Sequence, residues 1–322
     1  MNTNNNKKKQ RLNLLKDKIN EIIDQKFPFS KFNNNTSQTI IEENCSPEKF
    51  DRLSIIFESE KNINNNNNNN NNLYFNDEDS FKITKFWLIK EKLIIYEWKN
   101  FNYYNIQNQI IENLENQFEK SLLHKDDFQI TKTIKFYQTN RCEPTIGYRP
   151  NNRIIINNSS NNNIYNNEEN FHPSIVIDIG FYENLNDLLS KSKVFIGLTN
   201  IKIIVLLKFW FNEKDNTYKF LLIEIFKDSN YPLLKLKIER ILISGNNNDI
   251  IDDKSIMKIV NNWVSEISNT IKIPNYEHYR DNDSNLIELP LSHLYYNVPD
   301  GEISKNQKNI KIDINQINQI IE

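Results

Sequence analysis

Glycine is scarce in this sequence, which contains only 5 glycines among 322 residues. Phosphate-binding loops use glycine in patterns such as G-x-x-x-x-G-K-[ST] or G-x-G-x-x-G, because only glycine lets the backbone approach the phosphate closely. Neither pattern occurs in the chain. The sequence therefore excludes the P-loop and the glycine-rich dinucleotide fingerprint.

Cysteine and long apolar runs are also rare. The 2 cysteines, Cys45 and Cys142, form no zinc-type pair and no disulfide framework, which favours a reducing compartment. The longest apolar run, Ile201–Phe211, contains two lysines and is too short to span a bilayer. The N-terminus lacks the apolar core of a signal peptide. We expect a cytoplasmic or nuclear protein that does not associate with membranes.

Charge of one sign is not in excess, since 40 lysines and arginines face 42 acids and the net charge is −2. The chain as a whole is therefore not a polycation. This composition is still compatible with a local basic groove that binds nucleic acid. Apolar and aromatic residues make up 38%, with 19 Phe and 14 Tyr, which is enough for a sizeable core. The composition does not indicate an oligomeric state.

Asparagine-rich segments divide the chain. Asn64–Asn72 is an uninterrupted asparagine run, and Asn157–Asn170 is similar in composition. Such segments have too few apolar residues to fill a core, so we expect disordered, low-complexity inserts near residues 62–72 and 157–170. We predict an N-terminal helix and polar arm over residues 1–45 and one α/β domain over residues 46–322.

Hydrophobic periodicity predicts an alternation of strands and helices. A hairpin is expected over Phe86–Trp98, followed by a helix over Asn105–Leu123 and by a turn and then a strand within Thr145–Ile156. A buried central strand is expected over Pro173–Gly180 and a helix over Asn184–Ile196. They are followed by a hairpin of Ile201–Trp210 with Tyr218–Phe226, a strand over Leu233–Ile243 and a helix over Asp252–Ser268. The tail from Lys272 is expected to be irregular, with a short strand or turn and a helix at its end. This order predicts a mixed central β-sheet flanked by helices.

Asp178 interrupts the otherwise apolar strand Pro173–Gly180. Because side chains alternate along a strand, Asp178 shares one sheet face with Val176 and Gly180. A buried carboxylate is costly without partners, so it needs a cation, hydrogen bonds or the open end of the sheet. Two interpretations are open: Asp178 caps the following turn, or it binds a ligand at the carboxyl end of the strand.

The stretch that contains Asp178, "PSIVIDIGFYENLNDL", resembles a motif of the PD-(D/E)xK nuclease superfamily. Within that superfamily it is most similar to a restriction-endonuclease-like branch. Asp178 matches the acid of the motif, and Glu183 matches a second acid further along. Gly180 stands where the superfamily usually has lysine and where this branch has glycine. The resemblance implies a restriction-endonuclease-like α/β fold.

The resemblance also implies a set of site residues. "GYRPNN" is similar to the metal-binding K-x-P-D element, with Pro150 at the proline and Asn151 or Asn152 at the position of the metal-binding Asp. Asp178 and Asn151 would then hold Mg²⁺. A lysine of the following helix, Lys191 or Lys193, would replace the missing one.

Each of the remaining candidates has a simpler alternative. The first helix of the fold often lends a glutamate, here Glu112, but acids on one helix face are commonly solvated. Lys191 lies four residues after Asp187, so the two could form a pair on a solvated helix face. Glu224 interrupts a second apolar strand, where it could protect a sheet edge or support the metal ligands without binding the metal itself.

Two functions follow from this resemblance. The first is a Mg²⁺-dependent, endonuclease-like hydrolase of phosphodiesters. The second is a catalytically inactive relative that keeps the fold to bind a protein or nucleic-acid partner, which the asparagine at position 151 and the near-neutral charge favour. The sequence does not decide whether the chain is an enzyme.

Overall fold

The computed structural model describes 16 stretches of the chain. These are residues 39–42, 44–52, 83–89, 92–98, 101–120, 128–130, 134–136, 140–150, 172–181, 183–198, 200–212, 217–228, 235–244, 251–271, 286–294 and 309–313. Several predicted features lie outside them. They are the N-terminal helix, the asparagine inserts, the candidate ligand Asn151 with its neighbour Asn152, and the predicted C-terminal helix.

A six-stranded mixed sheet forms the centre of the fold, with the strand order β11-β10-β9-β8-β7-β4. Its strands are β4 (Phe128–Ile130), β7 (Ile146–Pro150), β8 (Ile175–Gly180), β9 (Ile203–Asn212), β10 (Thr217–Asp228) and β11 (Lys235–Ser244). Strands β8 and β9 are parallel, and the other neighbours are antiparallel. Helices cover the sheet, so the predicted α/β class with a mixed central sheet is confirmed.

Strand β8 lies in the interior of this sheet and is buried along its whole length. Its continuous apolar run fits a strand covered on both faces. It pairs with β9 as predicted, with Asp178 opposite Leu206 and Gly180 opposite Lys208. Its other neighbour is β7. The prediction of a turn over the first part of Thr145–Ile156 is therefore wrong, because these residues form a strand beside β8. Arg153–Ile156 lies outside the described residues.

One face of the central sheet packs against helix α1 (Phe101–Lys120) and a small two-stranded sheet. That sheet pairs β12 (Leu286–Pro290) with β13 (Asn309–Asp313), and the short helix α4 (Leu291–Leu294) follows β12. Apolar residues of all these elements belong to one core with those of β7, β8 and β9. The expectation of an irregular tail is therefore wrong over β12 and α4, which bury apolar side chains.

The opposite face packs against α2 (Leu185–Gly197) and α3 (Asp253–Ile271). Asn184 caps α2, since its side chain accepts a hydrogen bond from the backbone N–H of Asp187 at 2.8 Å. Asp252 caps α3 in the same way, accepting from the backbone N–H of Ser255 at 2.9 Å. Both helices were predicted, and both are confirmed.

A second, antiparallel sheet has five strands in the order β1-β3-β2-β6-β5. Its strands are β1 (Thr39–Glu42), β2 (Ile83–Ile89), β3 (Lys92–Trp98), β5 (Ile134–Phe136) and β6 (Asn140–Cys142). The β2–β3 hairpin is as predicted. β1 lies in the segment expected to be a polar arm and pairs with β3. Trp87 and Ile94 of this sheet share a core with α2 and α3. Among the described residues, no helix is both long and apolar enough to cross a membrane.

Candidate acid–lysine site at the carboxyl end of β8

Asp178 is held by hydrogen bonds from the residue that precedes β7. Its side chain is 0% exposed. Its Oδ1 accepts hydrogen bonds from the backbone N–H of Thr145 at 3.2 Å and from Thr145 Oγ1 at 3.3 Å. Thr145 Oγ1 in turn accepts from the backbone N–H of Ile179 at 2.9 Å. Thr145 therefore orients the carboxylate from the neighbouring strand.

Lys191 of α2 bridges two buried carboxylates. Its Nζ lies 3.2 Å from Asp178 Oδ2 and 2.8 Å from Glu183 Oε1. The residue is only 3% exposed, and its ammonium lies 5.2 Å from the centre of the Trp87 ring. The interpretation of Lys191 as half of a solvated pair with Asp187 is wrong, because Lys191 is on the buried face of the helix.

Glu183 lies in the turn between β8 and α2 and folds back over Gly180. A Cβ built on Gly180 would lie 3.5 Å from both Cβ and Oε2 of Glu183. These are ordinary van der Waals distances, so the Glu183 side chain packs directly against position 180. The cation beside Asp178 comes from Lys191 of α2.

The charged side chains of Asp178, Glu183 and Lys191 are all buried away from water. Burying carboxylates costs several kcal/mol each unless cations and hydrogen bonds offset the loss of solvent, and Lys191 supplies that cation. The charges of Asp178 and Lys191 also act on the thiol of the neighbouring Cys142. Burial raises the pKa of its thiol well above the usual value, the charge of Asp178 raises it further, and Lys191 opposes the effect. Cys142 therefore stays a neutral thiol beside the site.

The structure separates the other predicted site residues from Asp178. Lys193, two residues after Lys191, is partly exposed and pairs with Glu266 of α3. Glu112 is exposed on α1, which covers the sheet face opposite to Asp178. Glu224 is in β10, which lies between β9 and β11, so the interpretation as edge protection is wrong.

The donor atoms present match a hard divalent cation in chemical class. Mg²⁺ prefers oxygen ligands and is commonly held by one or two carboxylates together with water. Asp178 and Glu183 would be those carboxylates. Among the described residues, no group of three or more His, Cys, Asp or Glu side chains could hold a metal ion. A site built from these residues would thus rest on two acids, with Lys191 beside them.

Glu183 and Thr145 were not predicted from sequence as site residues. Glu183 was matched to the motif, but nothing in its spacing showed that it returns to Lys191. The burial of Lys191 had a detectable signal, because it lies three residues after Leu188 and four before Phe195, which are both buried.

No model of a known protein family matches the chain, and the chain is similar to no curated protein. Any function assigned to this chain therefore rests on its residues and their geometry. Those residues are two buried acids, one bridging lysine and the threonine that orients one of the acids.

Proposed function

We propose that the chain is a metal-dependent phosphodiesterase of the PD-(D/E)xK type, with its site at Asp178, Glu183 and Lys191. The observation that supports this most is the position of the Lys191 ammonium, 3.2 Å from one carboxylate and 2.8 Å from the other. Two acids and a lysine are the functional groups that such a nuclease uses. The lysine comes from α2, where the resemblance implies a substitute for the one missing at Gly180.

The order of elements around the cluster is in line with this proposal. Strand β8 with its acid is followed by helix α2, then by β9 and β10, which form a hairpin. This is the strand, helix and hairpin order that accompanies the resembling motif. The two carboxylates lie at the carboxyl end of β8 and in the turn that follows it, which is where α/β sheets commonly open to ligands.

Each residue has a definite role in this proposal. A divalent cation, when bound, would supply an activated water and stabilise charge on the phosphate. Asp178 and Glu183 would provide its carboxylate oxygens, and Thr145 would keep Asp178 in the orientation needed. Lys191 would limit the repulsion between the two acids and attract the anionic phosphodiester.

Cleavage of DNA and RNA oligonucleotides by the purified chain tests the proposal. We expect cleavage with Mg²⁺ or Mn²⁺ that stops with a chelator and that Asp178→Asn abolishes. Lys191→Met should lower the rate about 100-fold, since this is the usual cost of removing one electrostatic stabiliser from an active site. The matched control, Lys193→Met, should cleave at the wild-type rate. Cleavage that survives in Asp178→Asn would contradict the proposed site.

A second function, a non-catalytic module that binds a partner, is favoured by the burial of the cluster. Asp178 is 0% exposed, and both of its oxygens already accept hydrogen bonds from the chain. A phosphodiester could reach it only if the groups that cover it moved. In this case the cluster would be an ionic link that fixes α2 to β8. Nucleic-acid binding that is insensitive to chelator, without any cleavage, would support this function over the first.

A further inference from the structure

Lys208 is a second lysine that the structure places beside the acid–lysine site. It lies in β9 opposite Gly180 of the parallel strand β8 and is fully buried. Its Nζ donates hydrogen bonds to the backbone carbonyl of Phe181 at 2.6 Å and to that of Phe209 at 2.9 Å. The side chain therefore crosses from β9 to the residue that directly follows β8.

Phe181 is held by two consecutive residues of β9. Lys208 binds its carbonyl, while the ring of Phe209 stacks on the ring of Phe181 with centroids 4.8 Å apart and an interplanar angle of 13°. The Tyr218 ring is nearly perpendicular to the Phe181 ring, at a centroid distance of 6.2 Å. Phe181 begins the turn that contains Glu183, so the start of this turn is fixed by both backbone and side-chain contacts.

The other end of the turn is fixed by Asn184, whose side chain caps α2. Glu183 thus lies between two anchored residues, Phe181 and Asn184. Its carboxylate meets Lys191 only if the turn keeps this path. A hydrogen bond from an ammonium to a carbonyl is charge-assisted and stronger than a neutral one, so Lys208 is a strong polar anchor for the start of the turn.

We propose that Lys208 is a positioning residue for the acid–lysine site, because its bond to the Phe181 carbonyl holds Glu183 against Lys191. The inference rests on the proposed function for the identity of the site, but it does not require catalysis. It also accounts for a lysine on a sheet face where its neighbours along β9, Leu206 and Trp210, are apolar. Lys208 does not contact substrate in this proposal.

A double-mutant cycle on unfolding tests whether Lys208 acts on Glu183. The factor by which Glu183→Gln changes the unfolding equilibrium constant is measured in the wild-type and Lys208→Met backgrounds. We expect the two factors to differ at least about fivefold, as for residues that share a network. In the control background, Lys219→Met, they should agree within about twofold. Lys219 is also fully buried in the sheet, but it binds the carbonyl of Ile251.

Two further variants make the cycle decisive. Lys208→Arg keeps a cationic donor and should regain part of the coupling to Glu183. If Lys208→Met does not fold, Lys208→Gln replaces it, because its shorter side chain cannot reach the same carbonyl. Equal effects of Glu183→Gln in the wild-type and Lys208-substituted backgrounds would overturn the proposal.

Titration with Mn²⁺ separates this inference from the proposed function. If the wild type binds Mn²⁺, Lys208→Met should weaken the affinity about tenfold, as for residues that orient ligands, and Lys219→Met should leave it unchanged. Coupling in the cycle without Mn²⁺ binding by the wild type would refute the metal site and support the positioning role. Mn²⁺ binding that Lys208→Met does not change, together with no coupling, would refute the positioning role alone.

Discussion

The two faces of the central sheet bury very different side chains. On the face covered by α1, β8 contributes Ile175, Ile177 and Ile179, which join a single apolar core. On the face covered by α2 and α3, buried charges lie among the apolar residues, namely Asp178 in β8, Lys208 in β9 and Lys219 and Lys227 in β10. Among the described strand residues of the α1 face, Glu224 is the buried charge. Because a buried charge needs dedicated partners, replacing a charge on the second face removes specific contacts, whereas replacing an isoleucine on the first face removes apolar burial.

Lys191→Met should have the largest effect, because it leaves two buried carboxylates without their shared cation. We expect it to lower the free energy of unfolding by about 3–5 kcal/mol, the usual cost of breaking a buried ion pair on one side. Lys193→Met is the matched control on the same helix. Its pair with Glu266 is exposed, so it should cost less than about 1 kcal/mol. Urea unfolding measures both, and similar losses in the two variants would contradict the difference in burial.

Ile177→Ala should destabilise the chain through the apolar face alone. Ile177 is fully buried, and removing its methyl groups leaves a cavity that typically costs about 2–5 kcal/mol. Because Ile177 points away from Asp178, any stabilisation by Mn²⁺ should persist at its wild-type size. Thermal unfolding with and without Mn²⁺ measures both effects. Loss of the Mn²⁺ effect in this variant would show that the two faces do not act separately.

Lys227, on the sheet face covered by α2 and α3, should make the stability of the chain depend on pH. Burial, aided by the charge of Lys202, lowers the pKa of Lys227 from 10.5 to about 7. Between these two pH values, the Lys227 amine is protonated in the unfolded chain but has lost its proton in the folded chain. The contribution of Lys227 to stability should therefore rise between about pH 7 and 10.5, by at most about 1.4 kcal/mol per pH unit.

The difference between the wild type and Lys227→Met in unfolding free energy isolates this contribution from other titrating groups. The wild type should gain stability relative to the variant as the pH increases through this window. A difference that does not change with pH would show that Lys227 keeps an ordinary pKa. The side chain also donates to the carbonyl of Leu198 at the end of α2, so its titration bears on the helix that contributes Lys191.

Deleting Asn64–Asn72 should have the smallest effect, since the segment was predicted to contribute to neither face. Shortening a connection changes the closure entropy by less than about 1 kcal/mol. The melting temperature of the deletion variant should therefore stay within a few degrees of the wild type. A large loss of stability would contradict the prediction of a disordered insert.

Much of the central sheet could be predicted from sequence because its strands are continuous apolar runs. β8, β9 and β10 were recognised in this way, and α2 was recognised by its helical periodicity. Strand β7 was taken for a turn, because Gly147 and Pro150 suggest one and only its pairing with β8 favours a strand. β12 was missed for a similar reason, since it is short and depends on β13 for its hydrogen bonds, whereas β13 lies where a short strand or turn was predicted.

The candidate site could be predicted only in part. Asp178 stood out because a carboxylate in an apolar strand demands an explanation. Glu183 did not stand out as a partner of Lys191, since it lies in a turn and the path of a turn cannot be read from residue types. Lys191 had two interpretations, and the choice depended on whether its helix face is buried. Lys208 lies in a run of apolar residues, where its direction depends on the strand register.

Thermal unfolding with and without millimolar Mn²⁺ tests most directly whether Asp178, Glu183 and Lys191 form a metal site. A ligand that binds only the folded state raises the melting temperature, and we expect a rise of at least about 2 °C for the wild type. Asp178→Asn keeps an oxygen for Thr145 but loses the charge, so we predict a folded variant whose melting temperature does not respond to Mn²⁺. No response in the wild type, or an equal response in Asp178→Asn, would contradict the metal site.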